Sequence, residues 1–240
     1  MTGTIVYGFN AVSEALQQPE SINRIYVAKE SRDRSVRPLL ESAKAARVRY
    51  DFVPQAKLNE LTGTKDHQGI AAAISPVDYT PLEELIAQCG ERAVILAADR
   101  IQHERNLGMM IRSALGAGAA GVLVSDRGSA LLDESVVRTS AGTVLRLPVC
   151  KAGNLATALR ALKDHGFWIY GLSADAVDSV FTMDWPNRVV LVVGNESEGL
   201  RPGVRKVCDA FVSIPLRSGL DSLNAAVSAS VALFQTTACR

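Results

Sequence analysis

The chain has 240 residues, enough for one large domain or two small ones. With 48% hydrophobic and 21% charged residues, 18 glycines and 9 prolines, it is not a disordered, collagenous or coiled-coil chain, and aromatics at 5% point to a core of Ala, Val, Leu and Ile. The 26 Lys and Arg against 25 Asp and Glu leave a net charge of +1, which excludes a protein that coats nucleic acid indiscriminately but leaves room for a local basic face.

The apolar spacing predicts a helix over Tyr7 to Gln17 (YGFNAVSEALQ), with Asn10 as its cap, then a strand from Ile22 to Ala28. A basic helix from Ser35 to Ala46, a short strand from Arg49 to Val53, a helix from Gln55 to Thr62 and a buried strand from Gly69 to Ile74 complete a small α/β unit. The stretch SPVDYTP, Ser75 to Pro81, has two prolines and no periodicity, so the boundary falls there: residues 1–75, a linker over 76–90, and a second domain over 91–240.

After a helix from Leu82 to Gln88, strands are expected at Ala93 to Ala98, Gly121 to Ser125, Leu145 to Val149, Trp168 to Leu172, Arg188 to Val193 and Ala210 to Ile214. Helices are expected around Asn106 to Leu115, Glu134 to Ser140, Asn154 to His165, Pro202 to Lys206 and Ser222 to Thr236. Apolar strands alternating with helices predict an α/β fold with a mostly parallel sheet covered on both faces.

Several chemistries find no support in the pattern. Cys89, Cys150, Cys208 and Cys239 form no CxxC pair, which argues against a zinc site or a disulfide framework and for a reducing compartment. His67, His103 and His165 are scattered, so no metal is expected. NESEG around Ser197 lacks the glycine two positions before the serine that a nucleophile elbow needs. GAGAAG, Gly116 to Gly121, matches GxGxxG, but a helix precedes it and a strand follows, the reverse of a dinucleotide fingerprint; it reads as a helix C-terminal turn. No segment offers about 18 uninterrupted apolar residues, and Met1 to Asn10 has no basic region followed by an apolar run, so the chain reads as soluble and cytoplasmic, with no membrane partner.

Polar clusters at the ends of three strands remain, where open α/β sheets build their sites. The first, DRIQHERNLGMMIRSA, carries Asn106, Gly108 and Arg112; the second, GNESEGL, carries Gly194, Asn195, Glu196 and Gly199; the third, PLRSGLDSLNAAVSAS, carries Ser222, Leu223 and Asn224. Each has a plain alternative: a salt bridge for Arg112, turn and cap residues for Asn195 and Glu196, a helix N-cap for Ser222 to Asn224. It is their joint occurrence in order that favours a site.

NLGMMIRSA, VVLVVGNESEGL and IPLRSGLDSLNAAVSASVALF resemble the three signature motifs of the SpoU-type (TrmH-like) RNA 2′-O-ribose methyltransferases of the SPOUT superfamily. GFNAVSEAL, INRIYVA and HQGIAAAI resemble the small substrate-binding domain that such enzymes often carry first, so the likeness covers nearly the whole chain. Where the family often has Asp-Pro before its asparagine, this chain has His-Glu-Arg.

The resemblance implies a C-terminal trefoil knot that binds S-adenosylmethionine, an exception to the rule that chains do not thread loops. It assigns cofactor contacts to Gly194, Asn195, Gly199, Ile214, Leu216 and Leu223, and a catalytic pocket to Asn106, Arg112, Glu196, Ser222 and Asn224. Arginine is a poor proton acceptor, so Arg112 is expected to orient the adjacent phosphate and stabilise charge developing on the ribose oxygen. A homodimer is implied, with the RNA site assembled across two subunits. Eight basic against three acidic residues between Ile22 and Tyr50 point to RNA contacts by Arg24, Arg32, Arg34 and Arg37, against the alternative of a solvated helix face. The implied target is a guanosine of 23S ribosomal RNA; tRNA and an antibiotic-resistance site are alternatives, and a non-catalytic RNA-binding or ribosome-assembly factor is the reading from another class.

Overall fold

The computed structural model describes residues 4–29, 36–217 and 220–238, which group into two compact units: Met1–Asp78 with Leu132–Arg146, and Tyr79–Leu131 with Leu147–Arg240.

In the first unit, β1 (Thr4–Tyr7), α1 (Phe9–Ala15), β2 (Ile22–Ala28), α2 (Val36–Ala45), β3 (Tyr50–Val53), α3 (Gln55–Thr62) and β4 (Ile70–Ile74) build a four-stranded sheet in the order β1-β4-β2-β3. β4 runs antiparallel to β1 and β2, while β3 is parallel to β2. The first element is thus a strand, with the helix starting two residues later than the apolar spacing predicts. Gly8 sits at φ 85°, ψ 155°, open only to glycine, and turns the chain from β1 into α1. Asn10 is inside the helix rather than its cap; the first free N–H, of Phe9, donates to Gln68 Oε1 at 2.8 Å. His67 is a core residue: its Nδ1 accepts from the Gly69 N–H at 3.0 Å and its Nε2 lies 2.9 Å from Asn59 Oδ1.

Leu132–Arg146 completes this unit although it follows a strand of the other. It carries a helix, Glu134–Thr139, labelled below, and a 3₁₀ turn, Thr143–Leu145. Gly142, at φ 84°, lets the segment approach α1 closely, since a Cβ there would lie 2.9 Å from Glu14 Cβ and 3.1 Å from the Ala11 carbonyl. Arg146 pairs with Glu14, and Arg138 hydrogen-bonds the Tyr7 hydroxyl at 3.2 Å.

The remaining elements are α4 (Leu82–Gln88), β5 (Ala93–Asp99), α5 (Glu104–Gly116), β6 (Gly121–Ser125), α6 (Glu134–Thr139, of the first unit), β7 (Val149–Ala152), α7 (Leu155–Asp164), β8 (Trp168–Leu172), β9 (Asp178–Ser179), β10 (Arg188–Gly194), α8 (Pro202–Arg205), β11 (Ala210–Ser213) and α9 (Ala225–Ala238). The expected strand over Leu145 to Val149 is displaced: Leu145 closes the 3₁₀ turn, Pro148 has no N–H to give, and β7 begins at Val149. The glycine run after α5 is a helix C-terminal turn, as its order implies, with Gly118 at φ 76°.

The second unit's sheet has the order β7-β6-β5-β10-β8-β11-β9, and all its described pairings are parallel. Every residue of β5 is buried, which is why it reads as an unbroken apolar run. Ala93, Ile95 and Ala97 face the core beneath α4, α7 and α8, with Leu85, Leu159, Leu162 and Val204. The alternate residues Val94, Leu96 and Ala98 face the other side, which α5 and α9 cover. From β5 the chain proceeds outward through β6 and β7, then returns to fill the opposite half, so β5 and β10 flank the switch point where such sheets bind ligands. Among the described residues no helix is long and apolar enough to cross a membrane.

Candidate active site

Two adjoining clefts lie within the second unit at the C-terminal ends of the central strands, sharing Asn195 and Glu196. The first is lined by Leu172, Val193, Leu200, Val212, Ile214 and Leu223, together with Gly194, Gly199, Leu216, Ser222 and Arg205. The second is polar: Arg100, Gln102, His103, Asn106, Ser197, Glu198 and Asn224 join the two shared residues.

The wall between them is the turn from Gly194 to Gly199. Gly194 pairs in register with Asp99 at the ends of β10 and β5, and the Gly199 N–H donates to the Asn195 carbonyl at 2.9 Å. The turn folds so tightly that a Cβ on Gly194 would lie 2.3 Å from the Gly199 carbonyl carbon and 2.5 Å from the Leu200 nitrogen. Gly199 itself is left-handed, φ 63°. Asn195 ties the turn down in two directions: its Nδ2 donates to the Arg100 carbonyl at 3.1 Å, and its Oδ1 accepts from the Ser197 N–H at 2.9 Å.

The three sequence clusters meet in one hydrogen-bond network. Buried Asn106, on the first turn of α5, donates through Nδ2 to the Glu196 carboxylate, and its Oδ1 accepts from Asn224 Nδ2 at 3.2 Å. Asn224 Oδ1 in turn accepts from the Ala226 and Val227 N–H groups at 2.9 and 3.3 Å, so it caps α9 while its amide reaches the site. The cap expected around Ser222 to Asn224 is thus Asn224, with Ser222 on the wall of the first cleft.

Arg112 stands apart. It is exposed on α5 and lines neither cleft. Arg24 is paired with Asp51, and Arg37, on an exposed face of α2, with Glu41; Arg32 and Arg34 lie outside the described residues.

Sequence reasoning missed Asp99, Arg100 and Arg201. Asp99 is wholly buried; its Oδ1 accepts from Arg201 Nε at 2.7 Å and its Oδ2 from the Arg201 backbone N–H at 2.9 Å, fastening the exit of the 194–199 turn to the end of β5. A charged residue closing a fully apolar strand was the available signal. Burial pushes Cys208 up to about 11 and Cys150 up to about 12, so these two thiols stay protonated at neutral pH. Among the described residues no group of three or more His, Cys, Asp or Glu is arranged to hold a metal ion.

Comparison with known proteins gives concordant matches. The SpoU rRNA Methylase family model matches residues 93–234, and the model for RNA 2′-O ribose methyltransferase substrate binding matches residues 5–80. The chain is 36% identical to an uncharacterized tRNA/rRNA methyltransferase of Synechocystis over 96% of its length, and spans 61% of that relative. It is 35% identical to the 23S rRNA (guanosine-2′-O-)-methyltransferase RlmB of Nitrosomonas europaea, covering 96% of this chain and 90% of that one. A solved RNA 2′-O ribose methyltransferase superposes with a TM-score of 0.79 at 26% identity, over 98% of this chain and 88% of the other.

Proposed function

The chain belongs to the SpoU rRNA Methylase family, and from that membership we propose that it transfers a methyl group from S-adenosylmethionine to a ribose 2′-hydroxyl of RNA, the target being a guanosine of 23S ribosomal RNA. The observation that carries the reading is the Asn106–Glu196–Asn224 network, which joins all three motifs where an apolar cleft opens into a polar one.

The first cleft fits the cofactor. Its apolar walls suit an adenine, Gly194 and Gly199 leave backbone groups within reach, and the Glu196 carboxylate at its mouth is complementary to a cationic sulfonium. Bound there, S-adenosylmethionine supplies an electrophilic methyl carbon. This chain's residues do the rest: Gly194, Asn195, Gly199, Ile214, Leu216 and Leu223 hold the donor, while Asn106, Glu196, Ser222 and Asn224 orient the ribose. Arg112, which lines neither cleft of its own subunit, would reach the site from the partner of the homodimer and offset the negative charge that develops on the ribose oxygen as its proton passes to water. Gly194→Ala is expected to push the 195–199 turn out of place and weaken S-adenosylmethionine binding about tenfold or more, read by calorimetry.

We extend the proposal to the organisation of the chain: residues 1–75 grip RNA, with Arg24, Arg32, Arg34 and Arg37 as phosphate contacts, residues 76–90 link, and residues 91–240 carry the chemistry in a C-terminal trefoil knot. The enzyme works in the cytoplasm as a homodimer. Exposed Val227 and Phe234, seven positions apart on α9, support a self-association face, and α5, which bears Arg112, packs along α9. Phe234→Glu is expected to yield monomers in sedimentation velocity and to lower methylation accordingly; an unchanged dimer contradicts this face.

The whole proposal is tested by mapping 2′-O-methyl sites on 23S rRNA from cells with and without the protein, beside calorimetry with S-adenosylmethionine. A lost guanosine 2′-O-methylation upholds it. A lost site on tRNA upholds the second reading, which the Synechocystis tRNA/rRNA methyltransferase favours. Absence of cofactor binding leaves the RNA-binding factor as the answer.

A further inference from the structure

The second cleft has a charge problem. Two carboxylates, Glu196 and Glu198, line it, and an RNA strand brings a negative charge with each nucleotide. Arg100 is the one lysine or arginine among its lining residues.

That arginine is held with unusual care. It follows Asp99 directly and adopts φ 59°, the left-handed region that a residue with a Cβ rarely occupies and that tends to mark functional positions. Its N–H donates to Ser125 Oγ at 2.9 Å, which is itself 2.8 Å from Ser129 Oγ, and its carbonyl accepts from Asn195. Its aliphatic stem lies over Gly128, whose added Cβ would sit 3.4 Å from Arg100 Cγ. The head is less committed. Nη1 pairs with Glu198 at 2.6 Å, yet Glu198 is two-thirds exposed, and Arg100 Nε is buried with no partner.

We propose that Arg100 is a substrate-positioning residue whose guanidinium exchanges Glu198 for a phosphodiester oxygen of the RNA strand entering the second cleft. The backbone and stem are fixed before the strand arrives, so only the head must change partner. An exposed carboxylate partner is easily released, because solvent already screens the pair. A guanidinium can present two N–H groups to a phosphate, and Nε, buried here without a partner, gains one if the head turns as it changes partner. Glu198 then acts as a placeholder that keeps the arginine extended when RNA is absent and competes with it when RNA binds.

The inference rests on the proposed methyl transfer to RNA, and the two are separable in one set of measurements on the full chain with 23S rRNA transcribed in vitro. Arg100→Gly relieves the left-handed strain and removes the guanidinium. It is expected to leave the melting temperature equal or higher and S-adenosylmethionine affinity unchanged, while raising the RNA Kd and KM about tenfold with kcat nearly constant. The slope of log K against log salt should fall by about 0.7, the share of one single-strand phosphate contact. Glu198→Gln removes the competitor and is expected to tighten RNA binding about threefold.

Unchanged RNA affinity in Arg100→Gly overturns the assignment. So does a melting temperature lowered by more than about 4 °C, which makes the arginine structural, or a weakened S-adenosylmethionine Kd, which gives it to the cofactor. RNA binding that Glu198→Gln leaves unchanged or weakens overturns the exchange. If the wild type binds RNA with this arginine dependence but transfers no methyl group, the proposed function fails and the phosphate contact stands.

Discussion

On the role proposed for Arg112, Arg112→Ala is expected to lower the rate of methyl transfer about a hundred- to a thousandfold, the usual cost of removing a donor that stabilises developing charge. Stability should change by less than about 0.5 kcal/mol, because the residue is an exposed position in the middle of a helix and alanine is a good helix former. S-adenosylmethionine should bind as before, since Arg112 does not line the first cleft. Arg112→Lys keeps the charge without the planar fork and should recover only part of the rate. Single-turnover transfer to 23S rRNA beside calorimetry separates these effects. A variant that retains full activity removes Arg112 from the mechanism and leaves the Asn106 network to do the work alone.

Arg201→Ala carries the largest expected cost in stability. Asp99 is 0% exposed, and the substitution strips its carboxylate of the guanidinium while leaving only the Arg201 backbone N–H. Removing one member of a buried pair costs about 3 kcal/mol at the low end, the end that applies because the Arg201 side chain is itself 34% exposed. A fall of about 6–12 °C in melting temperature follows for a unit of this size. Asp99→Asn should cost less, since the guanidinium it leaves without a partner is 34% exposed to water, and combining it with Arg201→Ala should restore part of the loss. A double-mutant cycle with no coupling would show that the pair does not fasten the turn. S-adenosylmethionine binding should weaken in step with stability, because the turn it fastens walls the first cleft.

The parallel strands β5 and β10 were legible because strands buried on both faces must be apolar throughout, and the polar clusters were legible because they follow those strands directly. That Asn106, Glu196 and Asn224 lie together was implied by the family resemblance alone, and hydrogen bonds join the three side chains. Asp99 could be noticed as the charge that closes an apolar strand, but its pairing with Arg201 was not legible, because the partners are 102 positions apart and nothing local links them. Nor was β1, whose four residues are too few for an alternation to be read. Arg112 was readable in hindsight. Its apolar neighbours Leu107, Met110, Ile111 and Ala114 suggest burial, but at 100° per residue they fill one face, and Arg112 projects from the other.

Asn106, Glu196 and Asn224 are brought together across sequence separations of 90 and 118 residues, and the last of them is also the cap that starts α9. Contacts of such range form late, because the chain between them must be ordered first. During synthesis the proposed catalytic constellation therefore stays incomplete until α9 has emerged and docked. If the proposed site is the working one, methylation activity reports that α9 has docked on the second unit.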